Sequence, residues 1–165
     1  MMIDKVQAKE CASYSGQVTI QFLKGRKAYR KLEVKNNGTL RFFEILCNAV
    51  AGNNFSAYMP KYVGLFNVVD NTAHEVNLTR AHFNKVNVGS DVTTGDPFVE
   101  FTFVFPGSSL QNNEYVNQLR LFYSTDTSSD NNLLATVDVA TPFRVSSDSN
   151  LMITWKLSFM NLPLA

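Results

Sequence analysis

The chain has 165 residues, 15 Lys and Arg against 14 Asp and Glu, and a formal net charge of +1. That near-balance removes the electrostatic ground for a nucleic-acid partner, and no apolar run approaches the roughly 18 residues of a membrane-spanning helix. Charged residues make up 18% of the chain, below the usual figure of about 25%, so Asn, Ser and Thr carry the polarity.

Residues 1–16 show weak periodicity and read as an N-terminal arm or an edge strand; residues 17–165 read as a single β-sandwich domain. The opening MMIDKVQAKE has no apolar core of the kind a secretory signal needs, so synthesis in a cytoplasm is expected. Val18, Ile20 and Phe22 alternate with Thr19 and Gln21, the period-two pattern of a half-buried strand. Lys24-Gly25-Arg26 turns the chain, and Ala28, Leu32 and Val34 mark one face of a returning strand. The basic run Lys24 to Lys35 falls in that turn and on one strand face, so it reads as a solvated face rather than a nucleic-acid patch.

The stretch Thr39 to Gly52, TLRFFEILCNAVAG, has helical character. Thr39 suits an N-cap and Gly52 the left-handed C′ position, with Arg41, Glu44 and Asn48 forming one narrow polar stripe. One buried α-helix over about 39–51 is therefore expected. Cys47 falls on its apolar side and reads as a small core residue rather than half of a disulfide with Cys11.

Strand signals follow at Tyr62–Val69, more weakly at Glu75–Arg80 and Phe83–Val88, and most strongly where Val99, Phe101, Phe103 and Phe105 alternate with Phe98, Glu100, Thr102 and Val104. Leu119, Leu121 and Tyr123 continue the pattern, then Leu133–Val139, and finally Leu151, Ile153, Trp155, Leu157 and Phe159. About eight to nine strands at such intervals predict a mainly β protein, an antiparallel β-sandwich of jelly-roll or immunoglobulin-like kind.

No catalytic, cofactor-binding or metal-binding residue is assigned from the sequence. His74 and His82 lack further ligands at zinc spacing. Asp91/Asp96 and Asp126/Asp130 do not follow the alternation of a calcium loop, and read as turn residues. Glu100 is an acid set in a strongly apolar strand, but it has no visible carboxylate partner for glycoside hydrolysis. Nucleophile elbows, phosphate loops and Cys–His pairs are missing, so the chain reads as a non-enzyme. The aromatic residues Phe55, Tyr58, Tyr62 and Tyr115 sit in or beside predicted loops and are the candidates for an interface or a glycan contact.

A hairpin VTIQFLKGRKAYRKLEV leads into NNGTLRFFEILCNAVAGN and then KYVGLFN, while LLATVDVATPFRV and LMITWKLSF close the chain. This ordering resembles small virion structural proteins of tailed bacteriophages of gut bacteria. The resemblance covers the first 70 and last 35 residues, is carried by structural motifs only, and transfers no site residue. It implies a virion structural component, placed on the head shell, at a head-fibre base or in the neck and tail apparatus. Of these a capsid-associated auxiliary subunit, either a decoration or a head-fibre protein, is expected ahead of a neck or tail component. Such a subunit would have other virion proteins as partners, form a homo-oligomer, and need no cofactor, nucleic acid or membrane. The alternative is a tail or tail-fibre component that binds host surface glycans or a receptor.

Overall fold

The computed structural model describes residues 12–36, 60–124 and 132–161, the residues at 12–15, 36 and 159–161 by their backbone alone. Nine strands account for most of these residues: β1 Ala12–Lys24, β2 Lys27–Asn36, β3 Tyr62–Val69, β4 Thr72–Glu75, β5 Ala81–Ser90, β6 Pro97–Phe105, β7 Tyr115–Phe122, β8 Leu133–Arg144 and β9 Asn150–Asn161. Every strand pairing is antiparallel, as the mainly β expectation requires. Instead of two separate sheets, one sheet runs β2-β1-β9-β6-β5-β3-β7-β8, with β4 added beside β3. Its end strands β2 and β8 come back against each other, so the sheet is nearly a closed barrel. At this seam the rings of Phe22 and Phe143 meet edge-to-face with centroids 5.0 Å apart, and the Tyr29 hydroxyl lies 3.2 Å from Ser149 Oγ.

The alternation read from the sequence sets the core. Val18, Ile20 and Phe22 on β1, Phe101, Phe103 and Phe105 on β6, and Leu151, Ile153, Trp155 and Leu157 on β9 all point inward and are buried. Their rows are matched by register: Val18, Trp155 and Phe101 lie side by side, as do Ile20, Ile153 and Phe103. The opposing wall comes from Val63 and Leu65 of β3, Leu119 and Leu121 of β7, and Ala135 and Val137 of β8. Burying side chains of this size contributes about 1.5–3 kcal/mol each, an upper bound against a real unfolded chain.

Several local expectations change. The strand expected over Glu75–Arg80 is replaced by β4 at Thr72–Glu75, because Asp70 and Asn71 both take positive φ (49° and 61°). Two consecutive left-handed residues make the two-residue turn that suits a tight hairpin, and β3 folds back at once onto β4. Residues 76–80 then leave the ladder, apart from an isolated bridge between Asn77 and Leu110. Of the stretch 1–16 read as an arm or edge strand, residues 12–16 belong to β1 and pair with β9, and the rest lies outside the described residues. β2 joins β1 from Gly16, so among the described residues no strand stands on the other side of residues 12–15. β8 extends five residues beyond Val139, to Arg144. No α-helix occurs among the described residues, and the helix expected over 39–51 lies outside them, as do both cysteines.

Candidate functional site

The four aromatic candidates do not converge among the described residues. Phe55 and Tyr58 lie outside those residues. Tyr62 opens β3, is half-buried, stands edge-to-face to His82 at 5.1 Å, and is the cross-strand partner of Phe122. Tyr115 opens β7 at the other end of that strand, is 46% exposed, and carries the Arg144 guanidinium over its ring at 4.2 Å. Tyr115 and Phe122 are the two ends of β7, which puts Tyr115 and Tyr62 about 20 Å or more apart at ~3.4 Å per residue. One sugar ring cannot span that distance.

The most developed polar cluster was not visible as a site in the sequence. It lies on the outer face of β3, β4 and β7. Arg80 donates from Nε to Glu75 Oε1 at 2.8 Å and from Nη2 to Glu75 Oε2 at 3.2 Å, a bidentate pair. Its guanidinium also covers the Phe122 ring at 3.6 Å and donates from Nη1 to the Ser124 carbonyl at 3.3 Å. Glu75 Oε1 accepts a further bond from Asn77 Nδ2 at 3.0 Å, while Asn77 Oδ1 accepts the Leu65 backbone N–H at 2.7 Å. Gly64 makes room for all of this: a Cβ there would stand 2.8 Å from the Phe66 ring and 2.9 Å from Glu75 Oε1. Arg120 covers Phe66 at 4.5 Å, so two guanidinium groups roof two outward phenylalanines. This satisfied network seals an outer apolar strip. It also engages both ends of the Asn77 amide, in a residue only 7% exposed.

The acids and histidines stay apart. Among the described residues no group of three or more His, Cys, Asp or Glu could hold a metal ion. Glu100 has Asn87 and Lys156 as its register neighbours, so no carboxylate stands opposite it. In the Asp91–Asp96 loop, Asp91 Oδ1 accepts the backbone N–H groups of Thr93 at 2.8 Å and Thr94 at 3.0 Å. Those bonds, the Thr94 one foremost, hold the Asp91 carboxyl below its ordinary value of 3.8, and Lys156 Nζ at 3.7 Å from Oδ2 adds to the effect. This is turn chemistry, as the sequence indicated.

The remaining feature is β5. Only Ala81 and His82 pair with β3 on one side, whereas Phe83 through Ser90 pair with β6 on the other. From Asn84 onward one edge of β5 has no strand beside it among the described residues. On this strand Val86 and Val88 share the face of the buried Phe101 and the half-buried Val99, yet they are 39% and 82% exposed. Val92, just past the strand, is fully exposed. Natural sheets usually protect an edge with lysines, prolines or bulges. β5 has one register shift near Asn84 and one lysine, Lys85, both at the start of the open stretch. The sequence signal was the period-two spacing of Val86 and Val88, but spacing does not say whether a strand has a neighbour.

Compared with known protein families, curated proteins and solved structures, the chain matches none.

Proposed function

We propose that this chain is a non-enzymatic structural subunit of a bacteriophage virion, carried on the capsid as a decoration or head-fibre protein and held there by protein–protein contacts. The observation that carries an assembly role is the open β5 edge, which presents Val86 and Val88 to solvent beside an otherwise well-covered core. Exposed edges lined with apolar side chains bind other chains by strand addition, with backbone bonds giving affinity and side chains giving register. The virion setting comes from the resemblance of the opening hairpin and closing strand to small phage virion proteins. The polar networks around Asp91 and Arg80 are a turn and a roof over outward rings, held by bonds within the chain. The glycan reading gains nothing from the geometry, since Tyr62 and Tyr115 stand at opposite ends of the paired strands β3 and β7.

The test is saturable binding of the purified chain to particles of the phage that encodes it, compared with binding to a glycan array. The proposal expects saturation on particles and none on glycans. Saturable glycan binding without particle binding would transfer the chain to the receptor-binding alternative.

A further inference from the structure

The open edge of β5 specifies its own partner. The loop bonds Asp91 N–H to Asp96 O at 2.8 Å and Gly95 N–H to Asp91 O at 2.8 Å close the β5–β6 hairpin. They make Asp91 and Asp96 a bonded pair, so Gly89 with Phe98 and Asn87 with Glu100 are the bonded pairs that follow. The backbone N–H and C=O groups of Val86, Val88 and Ser90 therefore point the other way, to the open edge. A strand that joins there must present the same spacing of donors and acceptors, and β5 of a second copy does so when turned antiparallel.

Charge selects among the two-fold registers. With Val88 on the axis, Val88 faces Val88 of the other copy, Val86 faces Ser90, and Asn87 faces Gly89. Lys85 then faces Asp91, once on each side of the axis. Lys85 is exposed and has no ion pair among the described residues, so the register supplies the opposite charge it lacks. Centring on Asn87 instead sets Lys85 against Gly89 and gives up both charge pairs. The Val88 register also brings the most exposed valine of the strand to the centre of the contact and makes an isologous interface. We infer that two copies of this chain associate through antiparallel β5–β5 pairing centred on Val88, joining β2-β1-β9-β6-β5 of each into one ten-stranded sheet. The inference rests on the assembly reading and names one of its contacts.

The experiment combines sedimentation equilibrium with amide exchange on the full chain. The wild type is expected at twice its 18.5 kDa chain mass, with slow exchange at Val86, Val88 and Ser90. Val88→Lys sets two ammonium groups face to face and should yield a monomer in which those three amides exchange fast while Asn87 and Gly89, bonded to β6, stay slow. Slow Asn87 and Gly89 amides also show that the variant is folded. Lys85→Asp should weaken the dimer about tenfold or more, since like charges opposite one another are destabilising. Val92→Lys, outside the paired stretch, should leave it unchanged. A monomeric wild type overturns the inference, and so does a Val88→Lys protein that stays dimeric. A monomer with slow Val86, Val88 and Ser90 amides overturns it by assigning the edge to the chain's own residues before Pro60. A monomer that still saturates particles would remove the two-fold contact and leave the assembly reading standing. A dimer that ignores particles would support the contact and remove that reading.

Discussion

Arg80 and Glu75 form a two-bond ion pair on the outer face of the sheet, with the Arg80 side chain 6% and the Glu75 side chain 19% exposed. A pair so far from water is costly to break by halves, because the group left behind keeps its desolvation penalty. Arg80→Leu should therefore lower stability by about 3 kcal/mol in urea unfolding, with part of the loss coming from the uncovered Phe122 ring. A loss below about 1 kcal/mol, the range of exposed pairs, would show that the cluster is solvated rather than structural.

Gly107 and Gly25 are both turn glycines with opposite reasons for being glycine. A Cβ on Gly107 would fall 2.1 Å from the Ser147 carbonyl oxygen, which is backbone and cannot step aside cheaply. Gly25 has open space around it but takes φ of +60°. Gly107→Ala should cost about 3 kcal/mol, the upper end for overpacking, whereas Gly25→Ala should cost about 1 kcal/mol from left-handed strain alone. Equal losses in thermal unfolding would contradict the distinction.

Asp91 gives a pH prediction of definite sign. Its folded carboxyl sits below the ordinary value of 3.8, so between the two values the unfolded chain binds the proton and the folded chain does not. Stability from this group is complete above pH 3.8 and disappears as pH falls through the lower, folded value. Asp91→Asn keeps an acceptor for Thr93 and Thr94 but no charge. The melting temperatures of wild type and variant should differ at neutral pH and draw together in acid below that window. A gap that widens in acid would reverse the assignment.

Trp155 and Phe103 test the core from two directions. Both are fully buried, but Trp155 Nε1 has no hydrogen-bond partner among the described residues. Phe103→Ala should cost about 3–5 kcal/mol through lost transfer energy and a cavity. Trp155→Phe loses ring volume and no hydrogen bond, so about 1–2 kcal/mol is expected. Chemical denaturation of the two variants checks the order.

Much of the fold was legible because strand alternation is a local property. β1 buries Val18, Ile20 and Phe22, β6 buries Phe101, Phe103 and Phe105 but leaves Val99 half-buried, β9 buries Leu151, Ile153, Trp155 and Leu157, and β3 has the bounds read from YVGLFNVV. What failed to show was pairing. Asp70-Asn71 lacks the glycine that advertises a tight hairpin, so β4 was placed some residues too late. β8 continues past Val139 because four residues there bulge opposite Asn117, whose side-chain amide turns away to bond the Val68 N–H and C=O at 2.8 Å each. The Arg80–Glu75–Asn77 network depends on which outward faces meet, and the open edge of β5 depends on where β3 begins; neither has a sequence period. Tyr62 is half-buried and Tyr115 exposed, and the length of β7 separates them, a distance that no loop position in the sequence gives.

We propose that the chain acts by being built into a particle. Quantitative mass spectrometry of purified phage particles, with a labelled copy of this chain as standard, measures that most directly. The account predicts a fixed copy number per particle that is unchanged across preparations and through high-salt washing. A trace amount that varies between preparations, or the chain's absence from washed particles, would contradict it.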